Sequence, residues 1–368
     1  MKPFIIVGHP NDLHAHYVGW ALETAGYQAE FINSSHGNCA TGMTLSIDKT
    51  NDDLPGPDWG DAHAVWCRRL GPPPVFDEGG GDADEYTVSE ERRFTKWFIQ
   101  LLERSPVRWI NQPTAAQAAE NKFVQLKLAR SCGINIPRTL VTARPDRFKD
   151  FLTTEGVIVA KPLDGHFWKN ERGETLSAFA SVLDFERGFQ LSDEDIAQCV
   201  TMYQQRIAKV ADVRMVVMGA DMFAYKVIQD GEQHFDFRIG FYQENHLRYE
   251  DIPVPAALEA KMINFMGSLG INFASADFAL TADGEFIFLD LNPNGQWLFI
   301  EAACPESRLG QKFCSFFTQS RIDPGTERLF RSFSEYRQSA PGKSFEEKFR
   351  RSVGRDRSTT TREEARVD

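Results

Sequence analysis

The stretch from Ala274 to Glu301, ASADFALTADGEFIFLDLNPNGQWLFIE, constrains this chain more than any other. Apolar residues alternate on either side of Asp283-Gly284, and Asp-Gly is a strong two-residue hairpin turn, so the segment reads as two antiparallel strands. Such a turn pairs Ala282 with Glu285 and, counting back along the ladder, sets Asp277 opposite Asp290. Asn292 follows on the same face. Phe278, Leu280, Ile287, Leu289 and Leu291 fall on the other, wholly apolar face, which favours this register over one slipped by a residue. A bulged turn would break the pairing. Two facing carboxylates repel by roughly 0.2 to 1 kcal/mol when exposed, and by more when flanked by residues such as Phe286 and Phe288. A cation is therefore expected between them. Hard oxygen ligands without His or Cys nearby suit magnesium, which keeps several waters and bridges to substrate phosphates. The plainer alternative is a solvated hairpin with scattered acids, and the aligned face with the NPNGQW that follows it favours the metal site.

A length of 368 residues calls for two or three domains, and 42% hydrophobic with 12% aromatic residues is ample for large cores. No apolar run reaches membrane-spanning length, and MKPFIIVGHPND reads as a short strand and a turn without a signal-peptide cleavage region. A cytoplasmic protein with no membrane partner is expected. The six cysteines are widely spaced with no CxxC, which implies reduced, buried thiols rather than a zinc site or a disulfide framework. A net charge of −11 argues against nucleic-acid binding, which needs basic surface to displace counterions. An acidic substrate would need a local basic pocket.

Along the chain, KPFIIVG reads as a strand, Asp12 as the cap of a helix running to Gly26, and YQAEFIN as a second strand. AVWCRRL is a further short strand. Ser89 would cap a helix with a buried stripe of Phe94, Trp97, Phe98, Leu101 and Leu102. One helix is expected from about Thr114 through Lys122 to Gly133, then the strands INIPRTLVT and GVIVAKPL, and a helix from Pro255 to Gly270. These patterns divide the chain into an α/β unit over 1–110, a segment 111–190, a segment 191–320 that contains the hairpin, and a tail 321–368. The tail carries few core residues and is expected to be disordered from about Gly342.

No Walker A loop, dinucleotide fingerprint or kinase motif set occurs, so a nucleotide would be held by another architecture. Lys161 ends an apolar strand just before a proline and a loop, where a lysine can contact a phosphate as a point charge. The alternative is a surface lysine. Lys122 on a helix is a weaker signal, because helical lysines usually reach solvent. Arg214 in VRMVV and Arg238 in DFRIG sit in extended apolar stretches and need anionic partners, either a substrate or the nearby Asp212 and Asp236. Arg68 and Arg69 extend this basic lining or face solvent. His9, His14 and His16 lack metal-ligand spacing and read as structural or surface residues.

The series ENK…QLKLARSCGINIPRT, VIVAKP, YQQRIAKVADVRMVV, FDFR and DFALTADGEFIFLDLNPNGQW resembles ATP-grasp carboxylate-amine ligases. GHPNDLHAHYVGWALETAGYQAEFIN and VWCRR, with the FDFR and NPNGQW variants, look like the microviridin-type peptide macrocyclases, the graspetide synthetases. The resemblance covers roughly the first 320 positions. It implies an α/β and α+β ATP-grasp fold: an N-terminal pre-ATP-grasp α/β domain (1–110), a central subdomain (111–190), and a C-terminal subdomain with the magnesium hairpin (191–320). The resemblance further implies ATP as co-substrate, with Lys122 and Lys161 on its phosphates and Gln204, Gln205, Arg206 and Ile207 forming the adenine hinge. Asp277, Asp290 and Asn292 would hold Mg2+, and Lys209, Arg214 and Arg238 would line the acyl-phosphate site. The implied partner is a precursor peptide, with a leader that docks and a core whose Asp or Glu side chains are activated and joined to Ser, Thr or Lys. Asp290 stands where the family usually has Glu, Gln205-Arg206 replace an acidic-aromatic pair, Phe237 replaces Trp, and Cys67 replaces an aromatic residue. Asp236 and Glu301 are candidate general bases. The helical surface near Ser89 to Arg104 could serve leader docking or a homodimer. The competing readings are a ligase of free amino acids or small carboxylates, and a nucleotide-binding scaffold without turnover.

Overall fold

Strand Phe4–Gly8 is buried along its whole length, as a continuous apolar run requires when both faces of a parallel sheet are covered. The computed structural model describes residues 2–33, 46–47, 52–53, 61–68, 86–87, 89–90, 93–94, 97, 100–163, 167–169, 175–177, 180–229, 235 and 247–357. Phe4–Gly8 lies between Ala29–Asn33 and Ala64–Cys67, and Arg108–Ile110 completes a four-stranded, all-parallel sheet. Asp12 caps the helix Leu13–Thr24 by accepting from the Ala15 N–H at 3.1 Å. A second, antiparallel sheet has the order Ser181–Leu183, Ile158–Lys161, Thr201–Gln205, Thr139–Thr142. Phe148 and Leu152 of the helix Pro145–Glu155 close its small core against Ile158, Ile196 and Tyr203.

The third sheet is antiparallel, in the order Leu247–Ile252, Asp221–Gln229, Lys209–Met218, Phe273–Thr281, Phe286–Asn292. One face carries Met215, Ala276, Phe278, Phe288 and Leu291 into a core with the helices Lys122–Ser131 and Ala256–Leu269. On the other face, Val216, Tyr225 and Phe273 share a core with the parallel sheet and with Phe313, Phe316 and Phe317 of the helix Leu309–Gln319. Phe313 sits at the centre of that core with no exposed surface, its ring 4.5 Å from Trp66, 5.0 Å from Phe273 and 5.5 Å from Trp297. Phe313→Ala should destabilise the protein by about 3–5 kcal/mol in urea titrations. A loss below about 1 kcal/mol would mean that the sheets do not share this core.

Several expectations need correction. The hairpin turn has three residues, not two: Thr281 N–H donates to Glu285 O at 3.0 Å and Gly284 takes φ 83°, the left-handed position that ends such a loop. This slides Phe278 opposite Phe288 and Leu280 opposite Phe286, and a bulge at Leu289 then restores Asp277 opposite Asp290 and sets Ser275 opposite Asn292. Phe286 and Phe288 therefore pack on Phe278, at 5.9 and 5.6 Å between ring centroids, instead of flanking the acids. The expected helix from Thr114 to Gly133 is two helices, Pro113–Ala119 and Lys122–Ser131, because Asn121 caps the second by accepting from the N–H groups of Phe123 and Val124. Beyond Gln319, Phe330, Phe333 and Tyr336 are buried on Tyr17 and Tyr27, and helix continues over Ala340–Arg357. Residues 358–368 of the expected disordered tail lie outside the described residues. Trp97 of the expected buried stripe is exposed, whereas Leu102 is buried. Of the described cysteines, Cys304 and Cys314 are buried and Cys199 is exposed, where the sequence leads to an expectation of buried thiols.

Candidate active site

Three neighbouring strands bring the acids and an arginine side by side. Arg214 pairs across the ladder with Asp277, which pairs in turn with Asp290. Arg214 Nη1 donates to Asp277 Oδ1 at 2.9 Å and Nη2 donates to Gln296 O at 3.3 Å. Its guanidinium is also 6.0 Å from the Phe299 ring centre. The anionic partner of Arg214 is thus Asp277, not Asp212. On the far flank, Asp290 Oδ1 accepts from the Leu291 N–H at 2.9 Å, and Lys122 Nζ stands 3.9 Å from Oδ2. Burial pushes the Asp290 carboxyl above the usual carboxylate range. The Asp277 charge adds to this, against the pull of Lys122 and Lys161. An acid raised in this way, with a third of its side chain still open, has room for a cation.

Lys122 is the first residue of its helix, and its Nζ also donates to Pro162 O at 3.4 Å, next to Lys161 at the end of its strand. Lys122 and Lys161, which the sequence places on different elements, therefore both act on the Asp290 charge. Among the described residues no cluster of three or more His, Cys, Asp or Glu could hold a metal. A divalent ion at the Asp277–Asp290 pair would draw on the Asn292 amide, phosphate oxygens and water, which is a donor set that fits magnesium.

Two amide side chains that the sequence did not single out hold this edge in place. Gln125 is buried. Its Oε1 accepts from the Leu291 N–H at 3.0 Å, and its Nε2 donates to Leu291 O at 2.8 Å and Ala119 O at 2.7 Å. It replaces a neighbouring strand along the sheet edge between Asp290 and Asn292, and ties that edge to the helix that carries Lys122. Asn111, also buried, accepts from the N–H groups of Asn272 and Phe273 and donates to Phe273 O and Pro293 O, each of the last two at 2.8 Å.

The loop after Asn292 is bound on all sides. Asn292 Oδ1 accepts from the Asn294 N–H at 2.9 Å, and Gly295 takes φ 48° with the Phe273 ring where a Cβ would stand. Arg68 is neither solvent-facing nor part of a site lining. It is buried, donates from Nη1 to Asn294 O at 2.7 Å, and has Nε 3.3 Å from Asp12. His14 Nε2 accepts from the N–H groups of Trp297 and Leu298 at 3.1 and 3.2 Å. Glu301 is excluded as a general base. It is buried, and its carboxylate accepts from the N–H groups of Gly310 at 2.6 Å and Phe333 at 3.2 Å, so that it caps two helices.

The other candidates lie elsewhere. Lys209 Nζ is held by both Asp212 oxygens at 2.7 and 2.8 Å and by Phe235 O at 2.7 Å, so its charge is largely neutralised. Gln204 is buried, and its Nε2 donates to Thr139 Oγ1 at 3.1 Å. Gln205 N–H donates to Arg138 O at 2.9 Å and Arg206 N–H to Val157 O at 3.4 Å, while Ile207 O accepts from the Lys209 N–H at 2.9 Å. The Ile207 N–H has no backbone partner among the described residues. Arg238, Asp236 and Arg69 lie outside the described residues.

A parallel α/β unit followed by two antiparallel sheets, with Lys161 at the end of a strand of the first and paired acids on the second, is the ATP-grasp fold. Solved structures with the same fold include a RiPP-associated ATP-grasp ligase from Chryseobacterium gregarium, in complex with ADP and a leader and core peptide. The two share a TM-score of 0.72 and 20% identity over 88% of this chain and 99% of that one. Macrocyclase MdnC from Microcystis aeruginosa, bound with precursor peptide MdnA, has a TM-score of 0.72 at 21% identity, covering 87% and 100% of the two chains. Among curated proteins, a probable alpha-L-glutamate ligase of Sodalis glossinidius is 27% identical over 202 residues, which is 53% of this chain and 63% of that relative. The chain thus spans less than two thirds of that relative's length. No family model matches the sequence.

Proposed function

We propose that this protein is an ATP-dependent ligase of a ribosomally made precursor peptide. It would activate Asp or Glu side chains as acyl phosphates and join them to Ser, Thr or Lys as ω-ester or ω-amide crosslinks. The observation that carries this reading is the Arg214–Asp277–Asp290 row beside Lys122, set in a fold that aligns along nearly its whole length with peptide-bound ligases. In the first step a substrate carboxylate oxygen bonds to the γ-phosphorus of ATP and the bond to the β-phosphate oxygen breaks, releasing ADP. In the second, the hydroxyl or amine attacks the acyl carbon, loses its proton, and phosphate leaves. Magnesium held by Asp277, Asp290 and Asn292 would neutralise phosphate charge. Lys122 and Lys161 hold the phosphates, and the backbone of Arg206 and Ile207 receives the adenine edge. Arg214, fixed by Asp277 and Gln296, meets the charge that develops on the transferred phosphoryl group.

Incubating the purified protein with ATP, Mg2+ and the peptide encoded nearest its gene, beside an Asp290→Ala control, tests this reading. Loss of the mass of one water per crosslink, absent in the control, supports it. A second reading, a ligase of free amino acids or small carboxylates, is favoured by the similarity to the Sodalis protein. ADP release with glutamate or another free amino acid, the peptide mass remaining unchanged, would select it.

A further inference from the structure

We infer that His14 is a positioning residue for the metal site: from the N-terminal α/β unit, its unprotonated Nε2 sets the loop that places Asn292. The inference rests on the reading of Asn292 as a metal ligand. The loop from Asn292 to Leu298 joins the last strand of the five-stranded sheet to the helix Leu298–Ala303. Nothing within it fixes its path except the Asn292–Asn294 and Asn292–Gly295 bonds. The rest comes from outside. Asn111 takes the Pro293 carbonyl, Arg68 the Asn294 carbonyl and Arg214 the Gln296 carbonyl, while His14 takes the N–H groups of Trp297 and Leu298.

His14 differs from the other three because it accepts backbone N–H groups of the loop where they donate to its carbonyls; Glu120 also accepts, but from the Asn294 side-chain amide at 3.2 Å. The helix Leu298–Ala303 has no side-chain cap of its own, so the first N–H groups depend on His14. Two donors converge on one ring nitrogen, which must therefore present a lone pair and leave the proton on Nδ1, the atom 3.9 Å from Asp12 Oδ1. Asp12 in turn faces Arg68 and caps the helix that carries His14. The imidazole also meets the Trp297 ring edge-on at 5.0 Å, so packing and hydrogen bonding are separable contributions. Asp12, His14 and Arg68 all belong to the N-terminal motifs of this chain, and the structure gives those motifs work at the metal loop.

The test compares His14→Phe, which keeps a flat ring against Trp297 without an acceptor, with His14→Gln, which restores an acceptor oxygen at similar reach. The probes are ADP alone and Mn2+ titrated against saturating ADP, with folding followed by circular dichroism. Loss of an outer hydrogen bond that orients a metal ligand typically costs 10- to 100-fold in metal affinity. His14→Phe should therefore weaken Mn2+ at least about tenfold while metal-free ADP affinity stays within about twofold, and His14→Gln should recover to within about threefold of the parent. Equal Mn2+ affinity in His14→Phe and the parent overturns the inference, as does a parallel loss of ADP and Mn2+ binding. If His14→Phe does not fold, the 15N imidazole spectrum of the parent protein, with the His14 signals identified by their absence in His14→Gln, decides: a proton on Nε2 overturns it. A parent protein that binds neither ADP nor Mn2+ would instead remove the proposed function itself.

Discussion

Asparagine in place of Asp290 should abolish magnesium-dependent turnover and at the same time raise the melting temperature of the metal-free protein. The two effects share one cause. Burial lifts the Asp290 carboxyl above the usual range, and the Asp277 charge facing it across the ladder adds to this. A carboxyl whose folded pKa is raised is undercharged in the folded state relative to the unfolded one. Its contribution is therefore nil below the unfolded value of about 4, and becomes an increasing penalty as pH rises through the folded value. Asn removes that penalty. Because a third of the side chain is open, the gain is set by the cross-strand repulsion, at most about 1 kcal/mol, or roughly 2 °C. The difference in melting temperature between variant and parent should shrink as pH is lowered toward 4, and should reverse in saturating Mg2+ and ADP, which stabilise only the parent by binding. Turnover should fall by about 10^3, the scale of several kcal/mol of charge neutralisation. A variant that melts below the parent without metal at pH 7 would show that Lys122 and Lys161 already neutralise the pair.

How much of this site could be read in advance depends on the range of the interactions. The hairpin was legible because alternation is local, yet Asp283-Gly284 suits both two- and three-residue loops, and the choice turns on Gly284 adopting φ 83°. The facing acids survive only because the bulge at Leu289 compensates the longer turn, and nothing in the composition around Leu289 marks a bulge. Arg68 illustrates the opposite limit. Its acceptor is a backbone carbonyl 226 positions away, so the sequence offers only an arginine pair after a short strand. Gln125 and Asn111 are hidden for the same reason: an uncharged amide with backbone partners on other elements leaves no pattern. The tail was more legible than expected. Phe330, Phe333 and Tyr336 recur at helix-compatible spacing, and that spacing outweighs the surrounding Arg, Glu and Ser. The N-terminal motifs support the resemblance to peptide ligases, but His14 and Arg68 hold the loop after Asn292, and Asp12 faces Arg68, so they do not by themselves distinguish a peptide from a small substrate.

Arg214→Met should be among the most damaging single substitutions in the chain, for a reason that a metal ion can partly undo. Arg214 is nearly buried, and its guanidinium is the counter-charge on the Asp277 side of the row. Methionine keeps the volume but leaves Asp277 beside Asp290 with Lys122 and Lys161 acting only on the far flank. Removing one member of a buried pair costs about 3–5 kcal/mol, and the quarter of Asp277 that remains open lowers this to roughly 2–3 kcal/mol. The double variant Arg214→Met/Asp277→Asn carries no orphaned charge and should be more stable than Arg214→Met, with a coupling energy of about 1.5–3 kcal/mol in the full cycle. Divalent cation separates the two halves of the pair. On the proposed reading of the acids as metal ligands, Mg2+ with ADP should return part of the stability lost in Arg214→Met, and should return little to either variant carrying Asp277→Asn, which lacks a ligand oxygen. If Mg2+ with ADP stabilises all three variants equally, the acids are not where the ion binds, and the arginine is an ordinary strut beneath the Gln296 carbonyl.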